Sequence, residues 1–205
     1  MNISELVSKT VATGIPPLEL TYHAINNCGS RLPVAYKAEI GVNSIELGHI
    51  IQSEFSKVSD PCDVGIRVSE WGIKRALKEI PLFVESKRHP LWVSISCPAE
   101  YAVLPDAYER LKNLLSEVGD MGKIKLCLEF PDKLLSIKGD VRTFILDLKL
   151  LGIVSMVNCD VSGNCPFFRL TEIPVDNIIL SSGMANYVDD RNKPEVLRSL
   201  VQYLH

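Results

Sequence analysis

Apolar and polar positions along this chain mark out strands and helices in turn. Leu18–Ile25 alternates well enough for a strand, and a loop over Asn26–Pro33 separates it from a second strand, Val34–Ile40. Ser69–Lys87 carries Trp71, Ala76, Leu77 and Ile80 at helical spacing, and Pro81 kinks that helix or ends it early. Leu91–Ser96 is a third strand. Pro105–Val118 is an amphipathic helix with Tyr108, Leu111, Leu114 and Leu115 on one side and Gly119 as its stop. In Lys123–Phe130, period-two alternation sets Ile124, Leu126 and Leu128 on one face and Lys125, Cys127 and Glu129 on the other. Asp140 caps a helix over Val141–Leu151, and Gly152 closes it.

Two further apolar runs, Ile153–Val157 and Asn177–Leu180, have the length of buried strands, and the segment between them ends in the turn-prone Ile173-Pro174-Val175-Asp176. That pattern suits successive parallel strands joined by a crossover. A last helix, Val196–Leu204, follows the capping-box-like Asn192-Lys193-Pro194-Glu195. Residues 1–17 read as a short polar helix or arm closed by Gly14-Ile15-Pro16-Pro17, and residues 18–205 as one β/α domain. About six strands alternating with helices is the pattern of an α/β barrel built one unit at a time.

Composition narrows the classes. The chain has 205 residues, 46% of them hydrophobic, which is enough for one sizeable core. A net charge of -3 lacks the basic excess of a nucleic-acid binder, so no direct nucleic-acid contact is expected. The N-terminus lacks a basic region followed by an apolar one, and no apolar run reaches the roughly 20 residues that span a bilayer. A cytoplasmic protein without a membrane partner is therefore expected. The six cysteines, at 28, 62, 97, 127, 159 and 165, form no Cys-x-x-Cys pair, which gives little support to a zinc or redox site, and several sit inside apolar strands, where reduced, buried thiols are expected.

Several runs resemble the EAL family of cyclic-di-GMP phosphodiesterases. In that family the fifth barrel strand ends in Asp-Asp-Phe-Gly-Thr-Gly, and a Leu-Pro-Val-Asp-x-Leu-Lys-Ile-Asp run follows. Here Asn158 and Cys159 stand on the two aspartates, Val161-Ser162-Gly163 on the Gly-Thr-Gly, and Ile173 to Ser181 on the second run. Leu18–Ile25 is similar to the opening Leu-x-Tyr-Gln-Pro-Ile, with His23 in place of the glutamine. Ala38-Glu39-Ile40-Gly41-Val42-Asn43 occupies the position that names the family: Glu39 matches a metal-ligating glutamate, and Asn43 replaces an arginine expected to hold a phosphate. Ser94 replaces a metal-binding asparagine, Glu129 matches another metal-ligating glutamate, and Ile179 stands where the family keeps its catalytic lysine. The resemblance implies a TIM-barrel-like EAL fold. The family's last two units have no counterpart in these residues, so the resemblance implies either a truncated relative or an incomplete barrel of about six βα units. An edge left open by them would need helices, a partner or a second copy, as in a homodimer, to cover it.

Two-metal phosphodiester hydrolysis needs clustered carboxylates, an activated water and a nearby cation, and hard divalent ions usually want about six oxygen ligands each. Only Glu39 and Glu129 remain of the carboxylates, so the resemblance implies a vestigial pocket of Glu39, Asn43, Ser94, Glu129, Asn158, Asp160 and Ile179, with no catalytic residue, metal or cofactor. Asp160 would restore a carboxylate only through a one-residue slip, which turns a strand side chain to the other face. Lys37, two residues before Glu39 on the same face, is expected to neutralise it in place of metal. The expected function is that of a catalytically inactive EAL-like regulatory protein in bacterial signalling, acting by protein–protein contact. Two alternatives are a non-hydrolysing cyclic-di-GMP receptor, which Asn43 and Ile179 argue against, and a weak phosphodiesterase rebuilt around Asp160.

Overall fold

The computed structural model describes residues 18–44, 48–51, 62–83, 91–159 and 166–180, besides the single positions Glu5, Glu195 and Gln202. Apart from those single positions, the expected N-terminal arm and last helix lie outside the described residues. The chain opens with β1 (Leu18–Asn26) and β2 (Pro33–Ser44), an antiparallel pair in which Thr21 faces Glu39 and His23 faces Lys37. Their turn is held by Asn27, whose Oδ1 accepts from the amides of Gly29 and Ser30 at 2.9 Å, the local side-chain bonding that suits asparagine to turns. A short β3 (Gly48–Ile51) then folds back antiparallel onto the far end of β2. The alternation of strand and helix expected from the sequence therefore begins only after β3. A four-residue strand carries too few positions for its period to stand out.

From there the expected pattern holds. α1 (Cys62–Phe83) leads into β4 (Leu91–Ser96), α2 (Ala107–Val118) joins β4 to β5 (Ile124–Pro131), α3 (Val141–Leu150) joins β5 to β6 (Val154–Cys159), and a short 3-10 turn at Phe167–Thr171 precedes β7 (Asn177–Leu180). The strands run in the order β1-β2-β4-β5-β6-β7, parallel from β2 onward, with β3 alongside β2, so that seven strands form one mixed sheet among the described residues. This is a TIM-barrel-like α/β arrangement. α1 starts earlier than the periodicity predicts, and Pro81 lies in its last turn, two residues before the helix ends at Phe83.

The helices cover one face of the sheet. Ile40 of β2, Val93 and Ile95 of β4, and Leu126, Leu128 and Phe130 of β5 are buried there. Gly72 lets α1 approach closely, since a Cβ at that position would lie 2.5 Å from Ile40 Cδ1 and 2.7 Å from Ile95 Cδ1. Phe144 of α3 meets Phe130 edge to face, with ring centres 5.7 Å apart. Outside the sheet, Glu70 of α1 accepts from the hydroxyl of the buried Tyr101 at 2.9 Å and from Arg110 of α2 at 2.7 and 3.0 Å, which clamps the two helices together. Asp140 caps α3, accepting from the Thr143 amide at 3.0 Å, as predicted. No helix among the described residues is long and apolar enough to cross a membrane.

The crossing from β6 to β7 is locked by Asp176. Its Oδ2 accepts from the Ser155 amide at 2.9 Å and from the Ser155 hydroxyl at 2.8 Å, its own amide donates back to Ser155 Oγ at 3.0 Å, and Lys149 lies 3.2 Å from Oδ1. Burial alone would raise this carboxyl, but the Ser155 bonds and Lys149 outweigh it and hold the group below its ordinary value of 3.8. A depressed carboxyl contributes stability that is present above its unfolded pKa and lost as pH falls through the folded one. Asp176→Ala should cost about 1–3 kcal/mol in urea unfolding at pH 7. The difference from wild type should shrink as the pH is lowered below about 4.

Candidate functional site

The face of the sheet opposite the helices gathers the polar residues. Alternation places Lys37 and Glu39 of β2, Ser94 and Ser96 of β4, Cys127 and Glu129 of β5, Asn158 of β6 and Ile179 of β7 on it. The parallel registers set Lys37 opposite Ser94, Ser96 opposite Glu129, and Asn158 opposite Ile179.

Glu129 is the centre of this face. It is only 2% exposed, so its charge must be answered from within the protein. Lys37 Nζ donates to Oε1 at 2.7 Å, Asn158 Nδ2 donates to the same oxygen at 2.7 Å, and Ser94 Oγ donates to Oε2 at 3.0 Å. Three of the roughly four lone-pair positions of the carboxylate are thereby filled. Beneath this cluster Cys127 faces Ser94 across the register, and burial, followed by the charges of Asp176 and Glu129, pushes its thiol up to about 12. It is an inert packing group rather than a nucleophile.

Lys37 is the residue that sequence reasoning misplaced. It neutralises Glu129, not Glu39. Along one strand, side chains two residues apart lie roughly 7 Å apart and stand parallel, which draws no ammonium onto the neighbouring carboxylate. Across β4 the small Ser94 leaves space, and the lysine stem and the glutamate converge over it. Glu39 is left facing β1 instead, 3.5 Å from His23 Nε2, with 30% of its side chain exposed. His49 lies over Gly41, where a Cβ would come within 2.7 Å of its Cε1, and its Nδ1 is 2.8 Å from Glu19.

Of the other expected site residues, Asn43 is exposed and faces His49 across the β2/β3 register, outside the Glu129 cluster. Ile179 is half-buried beside Asn158. Asp160 lies outside the described residues. Lys125, on the same face but nearer the start of β5, is exposed. The structure thus brings Ser94, Glu129 and Asn158 together, adds Lys37, and leaves Glu39 and Asn43 apart from them.

The divalent ions that the family resemblance implies do not suit this donor set. Among the described residues, no three His, Cys, Asp or Glu side chains gather closely enough to hold a metal ion. An ion approaching Glu129 would meet the Lys37 ammonium, already 2.7 Å from the carboxylate, and an amide and a hydroxyl that both point donors at the same group.

Comparison with known proteins gives the chain a family frame. A family model described as the EAL domain matches residues 12–205. No curated protein matches the chain. Among solved structures, the FimX EAL domain from Pseudomonas aeruginosa bound to c-di-GMP is 14% identical, with a TM-score of 0.78 over 100% of this chain and 81% of that one. The PaMucR phosphodiesterase in its c-di-GMP complex is 13% identical, with a TM-score of 0.79 over 98% of this chain and 81% of that one. The EAL enzyme Bd1971 in its cAMP-bound form is 17% identical, with a TM-score of 0.79 over 98% of this chain. The present chain spans only 56% of that enzyme's length. At these identities the likeness is one of fold.

The two pairings on this face differ in burial, and mutation should separate them. Ser94→Ala leaves one oxygen of a buried carboxylate without its donor and should cost about 1–3 kcal/mol. His23→Ala breaks an exposed pair and should cost less than about 1 kcal/mol. Urea unfolding of the two variants beside wild type measures both.

Proposed function

We propose, from the premise that this chain belongs to the EAL domain family of cyclic-di-GMP signalling, that it is a regulatory member that does not hydrolyse the dinucleotide. The observation that carries the reading is that both retained carboxylates are already engaged within the protein. Glu129 is closed by Lys37, Ser94 and Asn158, and Glu39 is turned toward His23. Hydrolysis of a phosphodiester by this kind of site needs a metal-activated water and a cation to meet the charge that develops on phosphorus. An amide and a hydroxyl bound to a carboxylate activate no water, and the ammonium beside them is already neutralised by Glu129. Ile179, next to Asn158, adds no proton donor and no charge.

The receptor reading is weaker for a related reason. A cyclic dinucleotide carries two phosphates, and the cation nearest this pocket, Lys37, is committed to Glu129. Asn43 is neutral and cannot grip a phosphate as a guanidinium would. A chain of this kind would act through contact with a regulatory protein, or with a second copy along a sheet edge.

Incubation with cyclic-di-GMP and magnesium or manganese, followed by chromatography, should yield no linear product, and calorimetry should register no saturable binding at micromolar concentrations. Binding without turnover would transfer the assignment to a receptor. Turnover abolished by Glu129→Gln would overturn the proposal and return the pocket to catalysis.

A further inference from the structure

We propose that the Lys37 ammonium is a tethered replacement for metal, a cation supplied by the chain itself that lets this pocket fold and persist without divalent ions. The inference rests on the non-hydrolytic reading of the same pocket and goes further, because it assigns a role to a residue that the family resemblance does not mark.

Three observations carry it. Only 1% of the Glu129 side chain is exposed, so its partners come from within the protein, and Lys37 Nζ reaches it at 2.7 Å. The path to that position is prepared by sequence. β2 lies beside β4, β4 beside β5, and the position on β4 opposite Lys37 is the small Ser94, so a side chain rooted two strands away can cross roughly 10 Å of sheet to Glu129. The remaining ligands of the carboxylate are donors. Ser94 Oγ and Asn158 Nδ2 both aim at its oxygens, as they must when the cation is an ammonium already in place. The charge at this centre balances at one ammonium and one carboxylate, since Glu39 is held apart against His23. A divalent ion at the same place would bring two positive charges beside the ammonium, with one buried carboxylate to neutralise them.

Removing the ammonium should expose the oxygens of Glu129, and of Ser94 and Asn158 after reorientation, to an external cation. The experiment is a set of thermal melts of wild type, Lys37→Ala, Lys37→Arg, Glu129→Gln and Lys37→Ala/Glu129→Gln, each with EDTA and with millimolar manganese. Wild type should melt at the same temperature in both conditions. Lys37→Ala should melt about 6 °C or more lower in EDTA, because it leaves a buried charge unpaired. Manganese should recover part of that loss. Lys37→Arg should remain within about 3 °C of wild type, and the double variant should melt well above Lys37→Ala and ignore manganese.

If Lys37→Ala does not fold at all, the comparison of Glu129→Gln with the double variant decides. Melting temperatures within about 2 °C of each other mean that Lys37 matters only while Glu129 is charged. The proposal is overturned if Lys37→Ala melts with wild type, if the double variant is as unstable as Lys37→Ala, or if manganese raises the melting temperature of wild type. An uncoupled pair in a protein without hydrolytic activity refutes the tethered cation alone, whereas metal-dependent turnover by wild type refutes both readings.

Discussion

Burying a carboxylate inside a β/α sheet costs several kcal/mol unless its charge and lone pairs are answered by the protein itself, and Glu129 imposes that demand on β5. The answer comes from three other strands: Lys37 on β2, Ser94 on β4 and Asn158 on β6. Each must stand on the same face and at the right height. A one-residue slip of any of these strands would turn its donor into the helix-covered face and leave the carboxylate unsatisfied. The polar cluster therefore reinforces the register that the apolar face, with Ile40, Ile95 and Leu128 against the helices, sets from the other side. Hydrophobic burial supplies most of the driving force for such a sheet, but it is tolerant of small errors. A buried ion pair with its hydrogen bonds is not.

The same cluster limits the chemistry of this face. An ammonium cancels a carboxylate's charge about as well as a metal ion does at the same distance, but it is no Lewis acid. It cannot bring a bound water toward neutral pKa or bridge two phosphate oxygens. On the proposed reading, this chain keeps the frame of the EAL domain and part of its electrostatic balance, while the groups that would drive water onto phosphorus are gone. The Asp176 lock between β6 and β7 belongs to the frame. Its carboxylate is spent on Ser155 and Lys149, which ties the start of β7 to β6 and sets Ile179 beside Asn158. The Glu70, Tyr101 and Arg110 clamp does similar work on the outer layer and keeps α1 and α2 at a fixed spacing without touching the inner face.

Much of this was legible in the sequence, because strands and helices announce themselves by period. Leu91–Ser96 and Asn177–Leu180 have the predicted bounds, Asp140 caps its helix, and Gly119 and Gly152 end theirs with positive φ of 83° and 73°. The alternation of β5 placed Glu129 opposite the buried Leu126 and Leu128, as the structure has it. The resemblance to the EAL family, carried by motif spacing more than by letters, led to the same fold as the family match.

What the sequence by itself determined was therefore which side chains share a face. Only the tertiary structure decided which of them meet. Period fixes direction, in or out, but it says nothing about the order of strands or about how far a long side chain leans across its neighbours. Lys37 and Glu39 share a face and never pair, whereas Lys37 and Glu129, 92 positions apart in the chain, do. The antiparallel start of the sheet was decided in the same way. Nothing in the run from Leu18 to Ile51 marks β1 and β3 as flanking β2 on opposite edges, because that arrangement depends on hydrogen bonds between strands, and a local pattern does not record them.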